Sequence, residues 1–158
     1  MRQWRVLVGL ISDTHGLLRP EVFDEFHGVE LILHGGDVGS REILTQLRAI
    51  APVHAVYGNS DPPGQPGLAG SVDLCLGGLN VHVSHGHEHG SPTPAKLVAA
   101  YTADVIVFGH THKPLIERLD GVLVVNPGAA GPKRFDLKPS VALLTIENGR
   151  AAVKLVRL

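Results

Sequence analysis

One cysteine, one methionine and one tryptophan occur in 158 residues, and aromatic residues make up only 4% of the chain. The lone Cys75 cannot close an internal disulfide, so nothing in the composition asks for an oxidising compartment. Its place in a strand-like apolar pattern predicts a small buried hydrophobe. Charge is scarce too: 18% of residues, a formal net charge of -1 and no long run of either sign. Nucleic-acid and anionic-membrane binders usually need a basic face, so neither stable nucleic-acid binding nor membrane attachment is expected. The apolar stretch Val6–Ile11 is too short for a bilayer span, and no small-residue cleavage pattern follows it. A cytoplasmic location is the simplest expectation.

What the chain has in quantity is glycine, at 19 residues, and histidine, at 10. Its length suits a single domain over 1–158, able to bury roughly two-thirds of its unfolded surface. Short apolar, β-branched runs at Val6–Ile11, Val29–Leu33, Val53–Tyr57 and Val105–Phe108 read as strands buried on both faces. Helical stretches alternate with them near Pro20–Phe26, Arg41–Ile50 and Ala95–Tyr101, with Ser40 and Thr93-Pro94 suited to helix starts. The alternation predicts an α/β core with parallel strands. Three hairpins follow, each turning on a short glycine-containing pair: Val72–Leu76 with Leu79–Ser84, Leu115–Leu119 with Val122–Val125, and Val141–Ile146 with Ala152–Val156. They suggest a second sheet packed on the first. Pro62–Gly70 and Pro127–Pro139 read as loops.

The chemically informative residues come just after the predicted strands. Ser12-Asp13-Thr14-His15 follows the first, His34-Gly35-Gly36-Asp37 the second, and Gly58-Asn59-Ser60-Asp61 the third. Ser84-His85-Gly86-His87 and Gly109-His110-Thr111-His112 end two later ones. In extended backbone, residues two apart share a side, so Asp13 with His15, or His110 with His112, would face one crevice. Strand carboxyl ends are where open α/β sheets bind ligands. A mixed set of carboxylate, amide and imidazole exceeds what one tetrahedral zinc needs and suits two divalent ions bridged by a carboxylate.

The ordered series D-x-H, G-D, G-N-x-D, H-G-H, G-H-x-H resembles the calcineurin-like metallophosphoesterase superfamily, and within it the short YfcE-like phosphodiesterases. The resemblance runs from Asp13 to Gly128 and includes the late turn Asn126-Pro127-Gly128. It implies a two-sheet β-sandwich flanked by helices, the four-layer metallophosphoesterase fold. It also implies that Asp13, His15 and His112 hold one metal and Asn59, His85 and His110 the other, with Asp37 bridging. The activity it implies is hydrolysis of a small phosphoester by in-line attack of a metal-bridging hydroxide, with Asp37 and Asn59 in the catalytic set. Two divalent ions against Asp13, Asp37 and one hydroxide leave a net positive site, attractive to an anionic phosphoester. Imidazole among the donors disfavours Mg²⁺; Mn²⁺ is the first choice, with Fe, Zn and Ni as alternatives.

The chain departs from the wider superfamily at Ser60, where many members carry a histidine that acts on the leaving group. A serine hydroxyl is too weak an acid to replace it, which makes His87 the candidate proton donor. His27, His34, His54 and His82 lie outside the pattern and read as surface or satisfied structural histidines. His89 reads as a ligand's partner or a loop group, and Asp61 as orienting a neighbouring ligand or capping a turn. Lys133 and Arg134 are within reach of a substrate phosphate only if their loop folds toward the site; a solvated loop is the default. A phosphomonoesterase is the rival within the same chemistry. The rival from another class is a metal-binding scaffold, since the retromer subunit Vps29 resembles this family and uses the fold as an interaction surface. Exposed hairpin edges would allow a homodimer.

Overall fold

The structure, a computed structural model, describes residues 5–62, 64–134 and 136–158. Strand β1 (Arg5–Ile11) is followed by helix α1 (Glu21–Glu25), β2 (Leu31–His34), α2 (Arg41–Arg48), β3 (Val53–Val56) and a two-residue β4 (Leu68–Ala69). Next come β5 (Ser71–Leu76), β6 (Leu79–Ser84), a 3₁₀ turn at His87–His89, α3 (Pro94–Ala100) and β7 (Val105–Val107). Two hairpins close the chain, β8 (Leu115–Leu119) with β9 (Val122–Asn126), and β10 (Ser140–Glu147) with β11 (Arg150–Arg157).

These strands form two sheets, ordered β11-β10-β1-β2-β3-β4 and β5-β6-β7-β9-β8. Strands β1 to β4 run parallel, as the strand–helix alternation predicts, because each crossover carries the chain back over one face. The last hairpin departs from expectation. It joins the first sheet rather than the second, with β10 antiparallel to β1 through pairs such as Arg5 with Glu147. The Pro62–Gly70 stretch likewise contains β4, whose Leu68 pairs with Ala55.

The apolar faces account for the layering. Val8, Leu10, Leu33 and Val56 from the first sheet meet Val81, Val83, Val105 and Val107 from the second, forming a core between the sheets. On the outer face of the first sheet, Phe26, Ile43 and Leu47 from the helical segments cover Ile32 and Ala55. Phe26 is completely buried, and a phenyl ring so placed stabilises the fold by roughly 2–3 kcal/mol. Leu97 of α3 covers Ile106, Phe108 and Val124 on the far side of the second sheet. The result is the four-layer, two-sheet sandwich with flanking helices.

Two local expectations change. Ser40 sits at the start of α2 without a side-chain cap, whereas Thr93 Oγ1 accepts from Lys96 N at 3.3 Å and caps α3. Cys75 is exposed rather than buried, because β5 is an edge strand whose residues alternate between solvent and the core. Among the described residues no helix is long and apolar enough to cross a membrane.

Candidate metal centre

Five strand ends, β1, β2 and β3 from one sheet and β6 and β7 from the other, deliver polar groups to one place. The backbone there is not extended. Asp13, His15, Asp37, His110 and His112 have φ of 53°, 45°, 53°, 71° and 64°. The pairs spaced by two therefore reach the site through left-handed turns rather than by strand alternation. Side chains rarely adopt that conformation without compensation, and such strain concentrates at functional sites.

Each carboxylate uses one oxygen for anchoring and offers the other. Asp13 Oδ2 accepts from Ser12 Oγ at 2.7 Å and from His110 N at 3.2 Å. Asp13 Oδ1 is buried without a hydrogen-bond partner. It lies 3.3 Å from His112 Nε2, 3.8 Å from His15 Nε2 and 4.0 Å from His85 Nε2. Asp37 Oδ1 accepts from Ser60 N at 3.0 Å, while Oδ2 faces His85 Nε2 at 3.3 Å and His15 Nε2 at 3.7 Å. Asp37 thus faces His85 and His15, while Asp13 is the carboxylate common to both ligand clusters.

The remaining donors converge similarly. His85 Nδ1 donates to Gly35 O at 2.7 Å, which fixes the ring and turns Nε2 toward Asp37. Asn59 Oδ1 is 3.1 Å from both His85 Nε2 and His110 Nδ1. His15 Nε2 and His112 Nε2 face each other at 3.4 Å. All seven residues expected from the sequence therefore lie together. Asp13, His15 and His112 form one compact cluster, and Asp13, Asp37 and His85 another.

The electrostatics favour a cation. Burial raises the cost of a charged Asp37, yet His85 and the Ser60 amide hold its carboxyl well below the usual carboxylate range. Burial also opposes a charged His85, but Asp37 and Asp13 outweigh it and raise its pKa. Burial lowers His15, which Arg134 also pushes down, and lowers His110, where His85 adds to the effect. A buried, unpartnered carboxylate oxygen ringed by imidazole nitrogens is costly by itself and is matched by divalent ions. The donor set fits divalent metal ions.

Around this set, several residues hold the loops in register. Asp61, 6% exposed, accepts from Val38 N at 3.0 Å, Gly39 N at 3.1 Å and Gly58 N at 3.0 Å. It thus orients neighbouring ligand loops, as anticipated. Asn126 donates to Gly109 O at 3.1 Å and Thr111 Oγ1 at 3.0 Å, so the late turn steadies the loop bearing His110 and His112. A methyl group at Gly58 would overlap Asp37 Oδ1, and one at Gly109 would overlap Ser12 Oγ.

The histidines outside the pattern divide. His34 and His82 are buried, whereas His27 and His54 are exposed. His34 accepts from Gly36 N at 3.1 Å and pairs with Thr14 Oγ1 at 3.0 Å; Thr14 Oγ1 in turn donates to Val38 O at 2.7 Å. His82 Nδ1 lies 2.8 Å from Asp73 Oδ1. His89 pairs with the Tyr101 hydroxyl at 2.9 Å. His87 is half-buried, its ring centre 5.4 Å from that of His85 and 6.4 Å from that of His110, with Nδ1 3.3 Å from Glu88 Oε2. Lys133 and Arg134 are exposed, and the Arg134 charge reaches His15. Ser12, His34 and Asn126 as positioning groups were not assigned from the sequence; only a polar residue beside each motif hinted at them.

The chain is 37% identical over 160 residues to a probable metallophosphoesterase of Methanothermobacter thermautotrophicus, covering 96% of this chain and 92% of that protein. It is 29% identical over 139 residues to a phosphodiesterase of Methanocaldococcus jannaschii, covering 77% and 82%. Wild-type Vps29 of Entamoeba histolytica, in a crystal structure with zinc, superposes with a TM-score of 0.77 at 26% identity, covering 96% and 99%. Residues 6–149 match the family model for the calcineurin-like phosphoesterase superfamily domain, and the chain belongs to that superfamily.

Proposed function

We propose that this member is a binuclear metal-dependent phosphodiesterase acting on small phosphodiesters. The observation carrying the proposal is the pair of carboxylate oxygens, Asp13 Oδ1 and Asp37 Oδ2. Each is held by anchoring bonds on its partner oxygen and aimed at histidine nitrogens 3.3–4.0 Å away. Asp13, His15 and His112 would hold one ion and Asn59, His85 and His110 the other, with Asp37 available to both. Bound there, divalent ions supply Lewis-acid charge to phosphoryl oxygens and lower the pKa of a coordinated water. Mn²⁺ is the first choice for these mixed nitrogen and oxygen donors, with Fe, Zn and Ni as alternatives.

The chain's own residues do the rest. Neutral Asn59 in place of a third carboxylate limits the negative charge a phosphodiester must approach. The Ser60 side chain is not the acid; its backbone N–H positions Asp37. His87, beside the His85–His110 face, is the residue placed to give a proton to the departing alkoxide oxygen. Arg134, whose charge is felt at His15, is the exposed cation available to meet a non-bridging phosphate oxygen.

The test is hydrolysis of bis-p-nitrophenyl phosphate by metal-stripped protein after addition of Mn²⁺. Turnover that requires the metal and falls at least 100-fold in Asp37→Asn supports the proposal. Two bound equivalents of Mn²⁺, Ni²⁺, Fe²⁺ or Zn²⁺ with no turnover would favour a metal-binding scaffold instead. That second reading draws on the likeness to zinc-bound Vps29 and on Ser60.

A further inference from the structure

The turn that carries His87 is not packed into the core. It runs between Gly86 and Gly90, both at positive φ, of 100° and 68°, and none of the three residues between them is buried. Two backbone bonds close it, His89 N to Gly86 O and Gly90 N to His87 O, each 3.0 Å long. A short turn between two glycines has many accessible conformations. Proton delivery needs one of them, the one that sets the His87 ring 5.4 Å from that of His85 and 6.4 Å from that of His110.

Tyr101 supplies the missing anchor. Its hydroxyl donates to Glu88 Oε1 at 3.3 Å and lies 2.9 Å from His89 Nε2, so two of the turn's three side chains meet on one oxygen. With its single proton given to Glu88, the hydroxyl accepts from the His89 ring. The tyrosine is itself fixed from elsewhere. Its ring stacks on buried His82, with centroids 3.8 Å apart and planes 22° from parallel. His82 Nδ1 in turn lies 2.8 Å from Asp73 Oδ1 across the β5–β6 pair. Tyr101 N donates to Leu97 O at 3.0 Å, at the end of α3, where Leu97 is completely buried. Lys96 adds a looser tie, its Nζ donating to Ser91 O at 3.0 Å and to His89 O at 3.5 Å.

We propose that Tyr101 is a positioning residue for proton delivery: by clamping Glu88 and His89 it holds His87 against the His85–His110 face. The proposal rests on the phosphodiesterase reading above, in which a proton passes from His87 to the leaving oxygen as its P–O bond breaks. A p-nitrophenolate departs readily without that proton, whereas the more basic phenolate depends on it.

The experiment compares Mn²⁺-loaded wild type, Tyr101→Phe, His87→Gln and the double variant on bis-p-nitrophenyl phosphate and on diphenyl phosphate. Tyr101→Phe keeps the ring on His82 and loses the clamp. The ratio of kcat on diphenyl phosphate to kcat on bis-p-nitrophenyl phosphate is expected to fall about tenfold in Tyr101→Phe and about 100-fold in His87→Gln. A general loss of structure or of metal would lower both substrates alike and leave the ratio unchanged. In the His87→Gln background, Tyr101→Phe should lower the ratio no further. An unchanged ratio in Tyr101→Phe, additive losses in the double variant, or a wild type that cleaves only bis-p-nitrophenyl phosphate would each overturn the proposal and leave the phosphodiesterase reading standing. If neither diester is cleaved, that reading fails, and amide exchange decides the clamp. Faster exchange of the His89 and Gly90 N–H groups in Tyr101→Phe sustains it, and unchanged exchange overturns it.

Discussion

Asp61 accepts the backbone N–H of Val38 at 3.0 Å, tying the loop that carries Asn59 to the loop that carries Asp37. With Gly39 and Gly58 it satisfies three amides around a buried carboxylate. Asp61→Ala leaves those donors unpaired, at a cost of about 3 kcal/mol. Asp61→Asn, which retains one acceptor oxygen, is expected to lose less than half as much. Both variants should bind Mn²⁺ roughly 10–100-fold more weakly, as expected when a group orienting metal ligands is removed. Urea unfolding of the metal-free protein and metal titration check this; an unchanged Asp61→Ala midpoint would refute it.

His34 makes stability depend on pH. Burial lowers its pKa to about 4, against an ordinary value of 6.5, so the folded ring stays neutral while the unfolded chain takes up a proton. Between those pH values the unfolded state binds more protons, so stability is lost as pH falls from about 6.5 toward 4, by roughly 3 kcal/mol from this group. His34→Gln removes that contribution. The loss of unfolding free energy from pH 6.5 to pH 5 should be about 2 kcal/mol smaller in the variant than in the wild type. Equal losses would show that His34 titrates normally in the folded protein.

Gly58 offers a steric probe of the Asp37 carboxylate. An added methyl would overlap Asp37 Oδ1 and crowd Asp37 N, and neither can retreat, since Asp37 is 3% exposed and anchored by Ser60 N. Gly58→Ala is expected to weaken metal binding at least tenfold and to cost about 1–3 kcal/mol of stability. Calorimetric metal titration beside thermal unfolding would expose the error if affinity stayed at the wild-type level.

The residues that gather at the candidate site were legible because residue type and position are local: Asp, Asn and His directly after apolar runs need no knowledge of pairing. What could not be read was conformation and partnership. Asp13 and His110 lie in left-handed turns although neither is glycine, and only the convergence of five strand ends offsets the strain. The β10–β11 hairpin looks like any other in sequence. Its membership in the first sheet depends on Arg5 meeting Glu147, a contact that no local pattern announces. β4 is hidden in a proline- and glycine-rich stretch because two residues pairing with β3 leave no periodicity. Cys75 misleads because an edge strand exposes one face that alternation alone cannot identify.

His112 joins strain to function, and this yields an inversion that can be measured. Its φ is 64°, and its Nε2 crowds His15 Nε2 at 3.4 Å and the unpartnered Asp13 Oδ1 at 3.3 Å. Asparagine tolerates left-handed backbone better than histidine and relieves the crowding. His112→Asn should therefore stabilise the metal-free protein by roughly 0.5–1 kcal/mol. With metal the order should reverse. Bound ions stabilise the fold in proportion to the logarithm of metal concentration over Kd, about 2.7 kcal/mol at a hundredfold excess. The variant forfeits much of that gain at the site shared with Asp13 and His15. Thermal unfolding with a chelator and then with excess Mn²⁺ should show the variant melting above the wild type in the first case and below it in the second. A variant less stable in both would mean that His112 stabilises the fold by packing rather than being held under strain for the metal.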